Sequence, residues 1–377
     1  MKVLEIGKDN LRHNINLIKK KIETETPGVK VYAVVKANGV GLDLIKYTGF
    51  LIESGINSFA VACFEEAKKI READIKEELL MLSPVIDKKE LQFLIQNDIT
   101  LTIGSIDELK ILKEIIEKIN SEKKNKKEEN KKVKIQIKID TGFGRYGFLY
   151  TDLDGILSAF KIVDENVEIE GMYTHFSNAI DEKWTSVQYQ RFMNVVDFLK
   201  NNGYNPKYLH CCASTAFMKY PKMRLNAVRL GSVFQGRTLM KNTGLIKIGR
   251  FKTQITEIKV VPKGYNISYG NTYKTKKETK LAIIPVGYMD GFNKSVKRDN
   301  FKFSNNIIAI LMEIKKLFKD NRLEAKINGE NYKILGRLGM YHSIIDITEA
   351  TNIKIGDIVT LDITPLQTNE EIRREYI

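Results

Sequence analysis

The chain has 377 residues, 43% of them hydrophobic, enough for one large α/β domain plus a smaller one with a full core. Its formal charge of +14 does not imply a nucleic-acid partner: the lysines are scattered, and the densest run, Ser121 to Lys132, mixes six lysines with three glutamates and no aromatic residue, as in a solvated loop. No apolar run reaches the roughly 18 to 20 residues of a membrane span, the start lacks a signal peptide's apolar core, and three cysteines make no disulfide framework, so a cytoplasmic protein with no membrane partner is expected.

An opening strand (Val3–Ile6) and a helical stretch (Asp9–Ile22) are followed by alternating strand and helix signals. The strands are Val31–Lys36, Phe59–Cys63, Leu79–Leu82, Thr100–Ile103, Lys134–Ile139, Val167–Thr174, Tyr208–Cys212 and Val228–Gly231, eight in all. Amphipathic stretches lie between most of them. In Ile106–Ile119, apolar residues at Leu109, Leu112, Ile115, Ile116 and Ile119 mark one helical face. Eight such units over roughly 230 residues predict a (β/α)8 barrel. An open doubly wound sheet is the alternative, weakened because no Gly-x-Gly-x-x-Gly turn follows the first strand. Beyond Gly236 the texture changes. Strands Ile255–Val261, Lys280–Val286 and Asn306–Met312, a short helix at Ile314–Lys319, and turns at Gly264-Tyr-Asn and Asn328-Gly-Glu predict a mainly β domain. The expected domains are therefore residues 1–236 and 237–377.

The chemistry is expected at the C-terminal ends of the barrel strands. The apolar run Val31 to Val35 delivers Lys36 there, ahead of a glycine-bearing turn. A lysine poorly solvated at that position has a lowered pKa and is ready to form a Schiff base; a snorkelling lysine is the plainer alternative. Four later segments reach the same end: Lys138-Ile-Asp-Thr-Gly-Phe-Gly-Arg-Tyr-Gly147, Tyr173-Thr-His-Phe176, His210-Cys-Cys-Ala-Ser-Thr215 and Val228-Arg-Leu-Gly-Ser232. Singly, His175 reads as a core histidine, Ser214 as a helix cap and Arg229 as an ion-pair partner.

Taken in order, these segments resemble the pyridoxal-phosphate-dependent alanine racemase family. Val34-Val-Lys-Ala-Asn38 is similar to its cofactor-lysine motif, the segment from Lys138 to its Asp-Thr-Gly-x-Gly-Arg signature, and Gly171-Met-Tyr-Thr-His175 to its Tyr-Thr-His segment. Ile267-Ser-Tyr-Gly270, Pro285-Val-Gly-Tyr-Met-Asp-Gly291 and Gly336-Arg-Leu-Gly-Met340 resemble its C-terminal motifs. The resemblance implies a cytoplasmic enzyme that racemises alanine on pyridoxal 5′-phosphate, without a metal, and makes D-alanine. It also implies a head-to-tail homodimer in which each β domain completes its partner's site.

Residue by residue, the resemblance implies that Lys36 holds the cofactor and acts as one base. Tyr269, from the other subunit, acts as the second, since one base serves both faces of Cα only by moving. A phenol normally titrates near about pH 10, so nearby cations are needed, and His175 and Arg229 are the expected ones. Arg229 also faces the pyridine nitrogen, which a guanidinium cannot deprotonate. Arg145 donates to the cofactor's phenolate oxygen and, with Met340, contacts the substrate. Ser214 and the amides of Gly231 and Ser232 cradle the phosphate. Lys138 matches a position that some members carry carbamylated. This chain departs from the family at Val40, where a tyrosine is usual, at Ala213, and at Gly339-Met-Tyr-His342; Thr368-Asn-Glu-Glu-Ile-Arg-Arg374 also lacks a tyrosine found in many members. These changes keep racemases of serine, lysine or arginine open as alternatives, with a related decarboxylase and a non-catalytic cofactor-binding protein behind them.

Overall fold

The computed structural model describes residues 1–124, 132–294, 303–317 and 322–377. They divide into two units, Asp9–Ile248 and a second made of Met1–Lys8 with Gly249–Ile377. The chain opens with strand β1 (Lys2–Ile6). The first unit then carries β2 (Lys30–Val34), β3 (Ser58–Val61), β4 (Glu78–Met81), β5 (Leu101–Ile103), β6 (Val133–Asp140), the short β7 (Phe148–Leu149), β8 (Val167–Tyr173), β9 (Tyr208–His210) and β10 (Ala227–Leu230). All eight strands read from the sequence are present, each within a few residues of its expected limits.

They close into a ring of parallel strands. β10, β2, β3 and β4 form one sheet, and β5, β6, β8 and β9 the other. The amides of Met81 and Thr100 bond across the first seam, and the Arg229 amide donates to Cys212 O (3.0 Å) across the second. This is the barrel rather than the open sheet. Val31 to Val35 reads as a continuous apolar run because a barrel strand is covered on both faces. Helices alternate with the strands. Among them, α1 (Ile106–Lys124) buries Leu109, Leu112, Ile115, Ile116 and Ile119, each at most 5% exposed. Each such burial stabilises by about 1.5–3 kcal/mol. The lysine-rich run expected as a loop begins as the last turn of this helix; its residues 125–131 lie outside the described residues.

The second unit is a nine-stranded sheet in the order β12-β15-β18-β17-β16-β19-β11-β1-β20. Its strands are β1, β11 (Arg250–Gln254), β12 (Glu257–Val261), β15 (Thr279–Ile284), β16 (Glu324–Ile327), β17 (Glu330–Leu335), β18 (Ser343–Asp346), β19 (Ile358–Leu361) and β20 (Arg373–Tyr376). A small hairpin, β13 (Asn266–Ile267) and β14 (Tyr273–Lys274), stands apart from the sheet. β1 belongs here, not with the barrel, because it pairs antiparallel with β11 and parallel with β20. Residues 237–248 stay with the barrel, where the expected boundary had cut them off. Asn14 is the reason: its side chain both donates to Ile246 O (2.7 Å) and accepts from Ile246 N (2.8 Å). Asn328-Gly329 joins β16 to β17 with φ of 49° and 92°, the positive pair that a tight two-residue hairpin turn demands.

One expected strand is a helix. Asn306–Met312 lies inside α2 (Phe303–Leu317). Its β-branched residues suggested a strand, but Ile307, Ile310, Leu311 and Ile314 recur at three and four positions, which is helical spacing. The short helix expected at Ile314–Lys319 is the end of this same element, and residues 318–319 lie outside the described ones. Among the described residues no helix is long and apolar enough to cross a membrane.

Candidate active site

The site begins where β2 stops. Val35 makes the last ladder bond, its amide donating to Ala60 O (2.9 Å), and Lys36 follows. From Ala37 to Gly41 every residue then has a positive φ, 56°, 52°, 64°, 55° and 84° in turn. Lys36 thus stands at the head of a left-handed turn rather than inside the strand. Glycine suits position 39, since a Cβ there would lie a tight 3.1 Å from the Leu44 backbone. The turn leads Lys36 into a cavity of about 470 Å³ that also takes side chains from Lys138, Arg145, His175, Ser214 and Arg229, with Gly231 and Ser232 in its wall. Burial pushes the Lys36 pKa down, and Arg145 and Arg229 add repulsion that Glu66 opposes.

Arg145 comes from the loop after β6. The Asp140 carboxylate accepts from the amides of Gly142 (2.9 Å), Phe143 (2.8 Å), Gly144 (2.9 Å) and Arg145 (3.1 Å), folding the glycine-rich loop around itself. Burial acts to raise the Asp140 pKa, but these four donors hold it below the usual carboxylate value. Lys138 is only 5% exposed, on the strand before this loop, with the Tyr146 and Tyr173 rings 5.2 and 5.6 Å away. Burial, then Arg145 and Arg229, bring its pKa down to about 8. Near neutral pH a measurable share of Lys138 is therefore a free amine, the form that carbamylation requires.

Arg229, on β10, is fixed from three sides. Nη2 donates to Thr174 O (2.6 Å) and to His175 Nδ1 (3.2 Å), and Nη1 donates to His210 Nδ1. A guanidinium has no acceptor. His210 Nδ1 must therefore carry a lone pair and Nε2 the proton, which Nε2 donates to Gln136 Oε1 (2.6 Å). The Gln136 amide in turn donates to the Tyr32 hydroxyl (2.9 Å). Burial and Arg229 keep His210 neutral. His175 is neutral as well: burial, with Arg229, Arg145, Lys138 and Lys36 around it, pushes its pKa down to about 3. This corrects one expectation. Burial, with four basic side chains around it, favours the neutral form of His175, so Arg229 is the better candidate for that cation.

Ser214 Oγ accepts from the Gly231 amide (3.1 Å), which leaves its own proton free to donate. Gly231 lies close enough to β2 that a Cβ would sit 3.3 Å from Val34 O. The turn of helix that opens at Ser214 follows Ala213, whose side chain cannot cap it. Val40 lines the cavity with an apolar side chain where the sequence resemblance places a tyrosine.

Tyr269 and Met340 belong to the β unit, 62% and 49% exposed. Tyr269 opens a short turn after Ser268 (φ 63°), whose hydroxyl donates to Arg337 O (2.5 Å). Its ring lies 6.1 Å from that of His342. The Gly339 and His342 departures explain each other: a Cβ on residue 339 would fall 2.4 Å from the His342 ring. Glycine makes room for the imidazole, which occupies the space rather than leaving the region wider. Gln136 and Glu66 were not singled out in the sequence. No local pattern marks Gln136, whereas Glu66 had the weak signal of an acidic pair opening a helix.

Comparison with known proteins matches residues 6–238 to the N-terminal domain model of alanine racemase and 248–374 to the C-terminal domain model. An alanine racemase of Methanococcus maripaludis is 31% identical over 365 residues, covering 95% of this chain and 87% of the relative. One from Oceanobacillus iheyensis is 30% identical, with the same coverage. Among solved structures, alanine racemase of Clostridium difficile superposes with a TM-score of 0.83 at 26% identity, covering 100% of this chain and 95% of the other.

Proposed function

This chain belongs to the alanine racemase family, and we propose that it interconverts L- and D-alanine on pyridoxal 5′-phosphate held by Lys36. The observation that carries this reading is the convergence of Lys36, Arg145, Lys138 and Arg229 with a neutral His175 around one cavity. The donor set fits the cofactor. Lys36 is an amine with a lowered pKa, and the Ser214 hydroxyl, whose oxygen is held by the Gly231 amide, has its own proton to offer a phosphate beside the Ser232 backbone. Arg229 is a permanent cation with no acceptor to offer a ring nitrogen. Pyridoxal phosphate, when bound, supplies an aldehyde that condenses with an amine and a ring that spreads the charge left when a Cα proton departs.

The chain's own residues do the rest. Lys36 Nζ takes or returns the Cα proton on one face. The Tyr269 hydroxyl serves the other, reaching into the partner subunit of a head-to-tail homodimer, where Met340 joins the substrate contacts. Arg145 holds the substrate carboxylate through paired N–H donors. Arg229, held by Thr174 O, His175 and His210, would disfavour a protonated ring nitrogen by like-charge repulsion, leaving the ring a weaker acceptor of charge. A carbamate on Lys138 would set an anion beside Arg145. The three cysteines are all unpaired, Cys211 and Cys212 being buried, which agrees with D-alanine synthesis in a reducing cytoplasm. Borohydride reduction of the protein loaded with pyridoxal phosphate, followed by peptide mass spectrometry, tests the cofactor assignment. The adduct is expected on the peptide containing Lys36. An adduct confined to other lysines would overturn it.

A further inference from the structure

The left-handed turn after Lys36 is costly. Ala37, Asn38 and Val40 carry side chains at φ of 56°, 52° and 55°, a region where an L-residue's Cβ crowds the following carbonyl. Such a conformation persists only where surrounding bonds over-determine it. Part of the support is internal: the Gly41 amide donates to Ala37 O (2.8 Å), and Asn38 Oδ1 accepts from the Leu44 amide (3.0 Å). The amides that open the turn are held from outside. Ala37 N and Asn38 N (3.4 Å) both donate to Glu66 Oε1, while Glu66 Oε2 accepts from Ala62 N (3.2 Å). One carboxylate thus ties the end of β2 to the end of β3. It stands in the first turn of the helix Phe64–Glu72, whose cap residue Cys63 makes no capping bond. The same carboxylate, joined to the turn after Lys36 and to the Ala62 amide, acts through its charge on the Lys36 amine against Arg145 and Arg229. Among the described residues Lys138 and His175 also interact with this amine, and the Cys63 thiol interacts with Glu66.

We propose that Glu66 is a positioning residue for the reaction: it clamps the turn that aims Lys36 into the cavity, and its charge offsets the surrounding arginines at the Lys36 amine. This rests on Lys36 being the cofactor lysine. A glutamate serving only the helix start would leave Lys36 chemistry unaffected when its charge is removed. Glu66→Gln removes the charge while its amide oxygen still accepts from the Ala37 and Asn38 amides; it also gives up the bond from Ala62 N, since an amide NH2 cannot accept, and the melting curve reports that loss. Glu66→Ala removes the charge and all of these bonds.

The experiment follows pyridoxal phosphate uptake by cofactor-free wild type and the two variants across pH, by visible absorbance, with thermal melting alongside. For Glu66→Gln, the pH profile of uptake is expected to move to lower pH, with uptake at neutral pH severalfold faster, since losing an anion favours the free amine. For Glu66→Ala, cofactor binding is expected to weaken about 10-fold or more, because the turn's amides lose their acceptor. A Glu66→Gln profile that coincides with wild type, on protein that melts normally and carries the adduct on Lys36, overturns the electrostatic role. Unchanged affinity in Glu66→Ala overturns the clamp. Wild-type protein trapping its cofactor away from Lys36 would instead remove the reading beneath the proposal, and the proposal with it.

Discussion

Lys36→Ala is expected to lose racemisation by about 10⁴-fold or more, together with the visible absorbance that the lysine adduct gives the loaded protein. On the proposed mechanism the substitution removes the covalent anchor and one of the two bases at once. It leaves the turn intact, because the bonds that hold Ala37, Asn38 and Gly41 run through their own backbones, Glu66 and Leu44, and none uses the Lys36 side chain. Lys138 Nζ, which lines the same cavity from β6 beside the Tyr146 and Tyr173 rings, is the nearby amine that could compete. A mutant that melts normally yet keeps the visible band would show that another lysine carries the cofactor.

The second large effect is directional. Tyr269→Phe keeps the ring that packs near His342 and removes only the hydroxyl. A base that works on one face of Cα leaves its signature in that direction alone, so hydrogen exchange at Cα is expected to fall about 10²- to 10⁴-fold from one enantiomer. Exchange from the other, through Lys36, is expected to fall much less. The measurement is deuterium incorporation from heavy water into L-alanine and D-alanine separately. Equal, small losses in both would remove Tyr269 as the second base. Because the hydroxyl is read as serving the partner's site, mixed dimers of Lys36→Ala and Tyr269→Phe subunits should recover activity at the site that keeps both groups.

The barrel was legible because each of its strands is a short apolar run bounded by a helical repeat, a pattern set by local periodicity. The helical face of Leu109, Leu112, Ile115, Ile116 and Ile119 is a clear instance. Asn328-Gly329 was legible for the same reason, since two positive φ values select those residues. The failures share a different origin. Nothing near Lys2–Ile6 announces that it pairs with a strand some 370 residues later. Helix Phe303–Leu317 was missed because isoleucines suit both a strand and a helical face, and only their spacing decides. In the site, the local motifs around Lys36, Arg145 and Ser214 marked side chains that do line one cavity. The charge state of His175 was not, because it depends on four cations that the fold brings from three other strand ends. The grip of Glu66 on Ala37 and Asn38, 29 and 28 residues away, belongs to the same class.

The central claim is the reaction itself. Purified protein supplied with pyridoxal phosphate should be tested for racemisation of L-alanine, L-serine, L-lysine and L-arginine under one set of conditions. Alanine is expected to be turned over in both directions with the highest kcat/KM of the four, despite Val40, Ala213 and the Gly339–His342 pair. Preference for another amino acid would mean that those changes re-specified the pocket. Cofactor uptake on Lys36 without turnover of any substrate would contradict the account.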